Sequence, residues 1–495
     1  MINRTQLNAY LNKLPSAISH DELAQHKHII ERSFFGVDLL SCESDVLAFV
    51  GTYTGLELLV AFYNSKPRAI IVVESNASKF KRIQELLNKN PELKERVYLF
   101  DNFSNPEINE LIGERHVSVR ISLPAFTRAA LEYVTAQWKL DHICGEFNQY
   151  DVDPLIVYRQ CAARAADTFY WRIQDQHQPL AGSRQKYEYE VSVVVPAYNI
   201  SAYIDQCIES LANQSIESLE ILVVDDGTPD DSGEKADAWA ARYPGRVKVI
   251  HKANGGCATA RNAGVSQAKG QYIGFVDGDD WCDLQMYEDL FRAAVMKNAD
   301  ISQCGYKEAY ETGEIVKFPL DINLSRLDLL RERPTMWRRI YSADMLKNKG
   351  ISFPEHIRRF DDLPFQFETF LNAKIIANIP FDYYYYRQGR LGQDISVRDD
   401  RLYVHFPIFD WIYSRNSDTF NYDEERKLFE LELDVHFWAW SVIEAKFKDE
   451  YFKQVLAQIF ASKKILSKFD MLVIAKHKGR ERFMFYLKLL KAKTF

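Results

Sequence analysis

Short, nearly continuous apolar runs alternate with amphipathic stretches through the middle of the chain. Val191 to Val195, Ile221 to Val224, Val247 to Ile250 and Tyr272 to Val276 each read as a strand buried on both faces. Between the first two, Ile204, Cys207, Ile208 and Leu211 recur at i, i+3, i+4 and i+7, which gives a helix one apolar side to lay on a sheet. The alternation predicts an open, mainly parallel α/β sheet. A second α/β pattern precedes it: Asp45 to Leu56 reads as strand, glycine turn and helix, and Ala69 to Val73 as the next strand. The two are separated at Gln176 to Lys186, where Pro179, Gly182 and Ser183 break any periodicity. After about Arg398 the pattern turns helical, with Leu428, Leu431, Val435 and Trp438 at spacings of three and four. Three regions are expected, at 1–180, 187–400 and 401–495.

Composition narrows the classes. A chain of 495 residues, 47% apolar and 26% charged, has the length of two to four folded domains. Its longest apolar stretch, Val46 to Phe62, is interrupted by Gly51, Thr52, Thr54, Gly55 and Glu57, so no membrane span is expected. Met1-Ile2-Asn3-Arg4-Thr5-Gln6 opens no secretory signal, and seven cysteines without a Cys-x-x-Cys pair read as reduced thiols, both pointing to the cytoplasm. A net charge of -7 argues against nucleic acid as a partner. The charge is uneven: Ala461 to Phe495 carries +8 and the remainder -15. Phe483, Met484, Phe485, Tyr486, Leu487, Leu489 and Leu490 lie among Arg482, Lys488, Lys491 and Lys493, a mixture able to rest on an anionic inner-membrane face. The other reading is a closing helix that packs its apolar side and solvates its lysines.

Ligands of open α/β sheets bind where strands end, so the residues after each strand carry the chemistry. Ile221-Leu222-Val223-Val224 runs into Asp225-Asp226-Gly227-Thr228, and Tyr272-Ile273-Gly274-Phe275-Val276 into Asp277-Gly278-Asp279-Asp280-Trp281. Five carboxylates at one sheet edge repel one another unless donors or cations compensate, and a hard divalent cation suits acids alternating with a small glycine. An ordinary Asp-Gly turn is the plain alternative for either cluster alone.

These stretches carry a resemblance. Val194-Val195-Pro196-Ala197-Tyr198-Asn199, Val224-Asp225-Asp226-Gly227-Thr228, Gly255-Gly256 leading to Ala260-Arg261-Asn262-Ala263-Gly264, and Phe275 to Trp281 together resemble a family 2 glycosyltransferase of the GT-A fold. The resemblance implies a nucleotide-sugar site in which Pro196, Ala197, Tyr198, Asn199 and Asp225, Asp226 or both surround the base. Asp277 beside Gly278 would reach the ribose, with Arg261 near the nucleotide. Asp279, alone or with Asp280, would hold Mn2+ or Mg2+ on the diphosphate. Downstream, Phe360-Asp361-Asp362-Leu363-Pro364-Phe365 stands where the family carries Glu-Asp, so Asp362 is the implied catalytic base. Tyr383-Tyr384-Tyr385-Tyr386-Arg387 and Asp394-Ile395-Ser396 resemble the close of the family's catalytic module, with Arg387 at the diphosphate. The four tyrosines read equally as platforms for sugar rings or as a strand with alternating burial. His356 is placed either in the acceptor pocket or on the surface.

In the first region Glu74 lies nineteen residues past Gly55, the separation at which an acid reaches a ribose. The pattern is similar to Rossmann-like S-adenosylmethionine methyltransferases, and Val117 to Glu146 to the FkbM group. Phe49 and Val50 stand where that group has an acid, and Arg120 to Phe126 replaces its acidic run. A degenerate methyltransferase-like domain is therefore expected, without S-adenosylmethionine.

The reading is an α/β protein with a Rossmann-like N-terminal domain, a GT-A glycosyltransferase domain and a C-terminal helical region with a basic tail. It implies a cytoplasmic, metal-dependent, inverting transferase taking a sugar, from UDP first, to a bacterial surface glycan or lipid-linked acceptor. A bifunctional glycosyltransferase and methyltransferase, a non-catalytic glycan-binding scaffold and a homo-oligomer remain open.

Overall fold

The computed structural model describes residues 45–52, 56–65, 67–102, 105–121, 128–147, 152–164, 168–173, 180–182, 187–389, 398–461 and 463–493. Tyr53 to Gly55 of the glycine turn, Ser122 to Phe126, most of the 176–186 seam and Asp394 to Ser396 lie outside these. The chain divides into two compact units at Lys186/Tyr187.

The first unit holds a seven-stranded sheet of order β3-β2-β1-β4-β5-β6-β7. Its strands are β1 (Val46–Val50), β2 (Ala69–Val73), β3 (Val97–Phe100), β4 (His116–Ile121), β5 (Lys139–Phe147), β6 (Thr168–Ile173) and β7 (Leu180–Gly182). All neighbours pair in parallel except β7, which runs against β6. Helices α1 (Leu56–Ser65) and α2 (Ala77–Lys89) pack Leu58, Leu59, Ile83 and Leu87 onto it. The structure gives Glu74 a role within the sheet. Its buried carboxylate accepts from Thr52 N and Oγ1 through Oε2 and from Asn76 N through Oε1, each at 2.9 Å. It therefore ties the end of β1 to the end of β2.

In the second unit the expected strands appear as β8 (Tyr189–Ala197), β9 (Leu219–Asp225), β10 (Val247–His251) and β11 (Gly270–Phe275). Each is parallel to its neighbour, in the order β10-β9-β8-β11. Every residue of β9 is buried, the mark of a central parallel strand covered on both faces. Helix α3 (Ile204–Ala212) buries Ile204, Cys207, Ile208 and Leu211 completely, as its spacing predicts. Helix α4 (Cys257–Gln267) leads into β11. Beyond β11 the sheet continues with mixed pairing through β12 (Trp281–Cys282), β13 (Ile301–Tyr310), β14 (Ile315–Phe318), β15 (Arg339–Ser342) and β16 (Ile376–Gln388). Helix α5 (Asp362–Asn372) precedes β16.

The C-terminal region folds as α6 (His405–Asn416), α7 (Tyr422–Val442), α8 (Ala445–Ile459), α9 (Lys468–His477) and α10 (Arg480–Lys493). The buried face of α7 is only partly the one its apolar spacing predicts: Leu428 and Leu431 are buried, but Val435 is half-buried and Trp438 exposed, while Glu425, Phe429, Glu432, Leu433 and His436 point inward. Two of those are carboxylates, so a search for apolar residues alone misses part of the face. Glu425 accepts from three successive backbone N–H groups, Lys464 to Leu466, and Glu432 pairs with the equally buried Lys463. The tail also departs from its membrane-facing reading. Phe485, Tyr486 and Leu489 are buried in the helical core, and of the seven apolar residues named there only Met484 is exposed. The apolar side is used inside the fold. Among the described residues no helix is long and apolar enough to cross a membrane.

Candidate active site

The ends of β8, β9, β10 and β11 meet at one edge of the second sheet. Pro196 and Ala197 finish β8, level with Val224 and Asp225 of β9. Tyr198 follows, half exposed, and Asn199 takes a left-handed turn (φ 54°) while its N–H donates to Thr228 Oγ1 at 2.8 Å. Gly227 also has a positive φ, 64°, and a side chain there would meet Asn254 N at 2.8 Å. The Asp-Gly spacing thus answers a close approach of the β9 and β10 loops.

The acids of this edge do unlike work. Asp225 accepts from Thr228 N at 2.9 Å, and its Oδ2 lies 2.8 Å from His251 Nδ1 at the end of β10. That contact raises the His251 pKa above its ordinary value. Asp226 accepts from Lys252 Nζ and from the backbone N–H groups of Gly255 and Gly256 at 3.0 and 2.8 Å. It pins the glycine loop that opens α4. His251 and Lys252 went unnoticed in the sequence; the signal was present, since both follow a strand of the same parallel set.

The 277–280 turn is pressed against β8. A Cβ on Gly278 would lie 2.3 Å from Ile200 Cδ1 and 2.9 Å from Pro196 O, so only glycine lets the turn sit there. Asp280 is almost wholly buried and both of its oxygens are engaged, Oδ2 by Tyr384 O–H at 2.7 Å and Oδ1 by Arg387 N–H at 2.8 Å. Burial, then Asp279 and Asp277 beside it, push its pKa well above the carboxylate range. Asp280 is thus an anchor of the turn. Tyr384, buried and stacked on Trp337 at 4.1 Å, also accepts from Asp277 N–H. Of the four tyrosines, Tyr384 faces the acid turn and Tyr385 stacks on Trp281 at 5.1 Å, so they behave as a strand with alternating tasks. Arg387 donates from Nε to Asp279 O at 2.8 Å and lies over the rings of Tyr203 and Trp281.

Arg261 brings the second acidic motif to this turn. From α4 it donates through Nη2 to Asp277 Oδ1 at 2.7 Å and through Nη1 to Asp361 Oδ2 at 2.8 Å. Asp362 begins α5, and Phe360, just before the pair, holds a left-handed backbone (φ 55°) rare for a bulky side chain. Burial, with Asp361 next to it, pushes the Asp362 carboxyl up to about 7; Arg261 opposes the rise. A carboxylate poised near neutrality is suited to take a proton from a hydroxyl. His356 is exposed and lies against the Trp411 ring, away from any such task. Among the described residues no group of three metal-ligating side chains occurs. Hard cations such as Mg2+ are often held by one or two carboxylates with the substrate's phosphates and water supplying the rest.

Comparison with known proteins bears on the second unit. Residues 192–356 match the family described as Glycosyl transferase family 2. The chain is 37% identical over 211 residues to the uncharacterized glycosyltransferase EpsJ of Bacillus subtilis, covering 40% of this chain and 61% of EpsJ. It is 35% identical over 216 residues to the glycosyltransferase GlyG of Streptococcus pneumoniae, covering 40% of this chain and 70% of GlyG. Among solved structures, Staphylococcus aureus TarS 1-349 in complex with UDP-GlcNAc aligns with 23% identity and a TM-score of 0.48, over 62% of this chain and 91% of that one. The chain belongs to glycosyl transferase family 2. It spans about three fifths of the length of EpsJ and EpsH, the first curated relatives it matches.

Proposed function

We propose that the second unit is an inverting, metal-dependent glycosyltransferase that moves a sugar from a nucleotide-sugar donor, a UDP-sugar first, to a hydroxyl of a bacterial surface glycan or lipid-linked acceptor. One observation carries the reading: Arg261 pairs with both Asp277 and Asp361, so the 277–280 turn and the Asp361–Asp362 pair lie side by side. The half-exposed Tyr198 and the ends of β8 and β9 form the base side of the donor pocket. Asp277 would meet the ribose, and Asp279 would hold the Mn2+ or Mg2+ that accompanies the diphosphate. When bound, that cation neutralises charge growing on the leaving phosphate. Asp362 takes the proton of the acceptor hydroxyl as its oxygen bonds to the anomeric carbon. The bond from that carbon to the phosphate oxygen breaks, and its electron pair leaves with the nucleoside diphosphate. One displacement of this kind inverts the centre and needs no covalent intermediate. The names of the relatives support the reaction class, and the Asp-rich strand ends support the donor class.

Asp362→Asn tests it. Turnover of a nucleotide sugar should fall at least a thousandfold, with UDP affinity measured by calorimetry within threefold of the parent. An Asp362→Asn protein that still transfers sugar removes Asp362 from the reaction.

A further inference from the structure

We infer that Arg261 and its neighbour Asn262 are positioning residues that hold the base-bearing segment against the donor turn, with Arg261 acting through Asp361 rather than touching the donor. The inference rests on the function proposed above and gives Arg261 a different role from the one the family resemblance implies. Its guanidinium is 7% exposed, and its two terminal nitrogens are each committed to a carboxylate, Asp277 on one side and Asp361 on the other. The third nitrogen, Nε, is buried without a hydrogen-bond partner. The plane lies over Phe353, 5.3 Å from the ring centre.

Asn262 completes the grip. Its Oδ1 accepts from Phe353 N–H and its Nδ2 donates to Phe353 O, both at 2.9 Å, so a side-chain amide pairs with that peptide as a strand would. The same Nδ2 donates to Glu355 at 3.0 Å. The Phe353 ring stacks on Phe365 of α5 at 4.0 Å, and Phe275 of β11 meets both rings edge-on. Two adjacent residues of one helix therefore fix three stretches: the turn after β11, the 353–355 segment, and the residues that start α5. A planar five-donor fork does this where an ammonium would not, because it serves two carboxylates along separate directions. A base displaced by about 1 Å loses on the order of a hundredfold in rate, which sets the size of the effect.

Four variants decide it: Arg261→Lys, Arg261→Gln, Asp361→Asn and the double Arg261→Gln/Asp361→Asn, which removes both charges and so guards against misfolding. Turnover of a UDP-sugar at saturation should drop about a hundredfold or more in Arg261→Gln and Asp361→Asn, and no further in the double. Affinity for UDP with Mn2+ should stay within threefold throughout. Arg261→Lys should recover less than a tenth of the loss. Amide exchange across residues 353–365 should rise at least tenfold in Arg261→Gln while the 225–231 loop stays unchanged. A tenfold loss of UDP affinity with turnover at saturation preserved, or losses that multiply in the double, overturns the positioning role. If the parent protein turns over no nucleotide sugar, the proposed function fails. The exchange pattern then still decides whether Arg261 holds the segment.

Discussion

At the residue scale the acids after β9 and β11 are alike in sequence and unlike in environment. Asp280 is buried under Tyr384, Asp226 is engaged by a lysine and two peptide groups, and Asp362 is desolvated beside another carboxylate. Asp362 has its pKa raised from 3.8 to about 7, so it is protonated below that pH and unable to act as base. Transfer should therefore climb with pH up to about 7 and level off above, and Asp362→Asn should erase that limb. The sign for stability is opposite. The folded protein binds this proton more tightly than the unfolded chain, so stability falls as pH rises between about 4 and 7. Thermal melts at pH 8 should accordingly place Asp362→Asn above the parent. Legibility followed the same division. That Asp362 goes with the Asp277 turn was legible only through the family resemblance, which implies an acidic pair downstream of the nucleotide-sugar motifs. That Arg261 would reach Asp361 was not, since the two are 100 residues apart and only the folded chain brings them together.

At the scale of elements, periodicity located β8, β9, β10, β11 and α3 well, because each buries apolar residues and little else. It located α7 as a helix and placed Leu428 and Leu431 inside, but not Glu425, Glu432 and His436, which share the buried face. The Glu432–Lys463 pair explains how such a face is tolerated. Burial lowers the Lys463 pKa and raises that of Glu432, and each charge is retained by the other, with Tyr413 O–H donating to Glu432 at 3.2 Å. Lys463→Met removes one partner and leaves a carboxylate stranded, which should cost about 3 to 5 kcal/mol in urea unfolding. The double Lys463→Met/Glu432→Leu should recover most of that, since a well-packed apolar pair substitutes for a buried ion pair. If Lys463→Met alone leaves the midpoint unchanged, the pair contributes nothing. The tail helix α10 teaches the related lesson that a basic, apolar-rich stretch has two uses, and that burial, not composition, separates them.

For the whole molecule, two units imply two unfolding transitions rather than one. The donor edge belongs to the second unit, so UDP with Mn2+ should raise one transition and leave the other in place. At a hundred times its dissociation constant the ligand adds about 2.7 kcal/mol to the unit that binds it. Chelation of the metal, or Asp279→Ala, should remove most of that gain in calorimetric scans. A shift shared equally by both transitions would contradict the assignment of the donor edge to the second unit alone.

The backbone of Phe360 gives the C-terminal helices a reason to stay. A left-handed phenylalanine is a conformation the isolated segment would abandon, at a cost of roughly 1 to 2 kcal/mol. Its ring rests 5.4 Å from that of His405, the first residue of α6. The helical region is thus a buttress: it braces a sprung stretch of chain one residue ahead of the acidic pair, and shortening the protein to its sheet would let that spring uncoil.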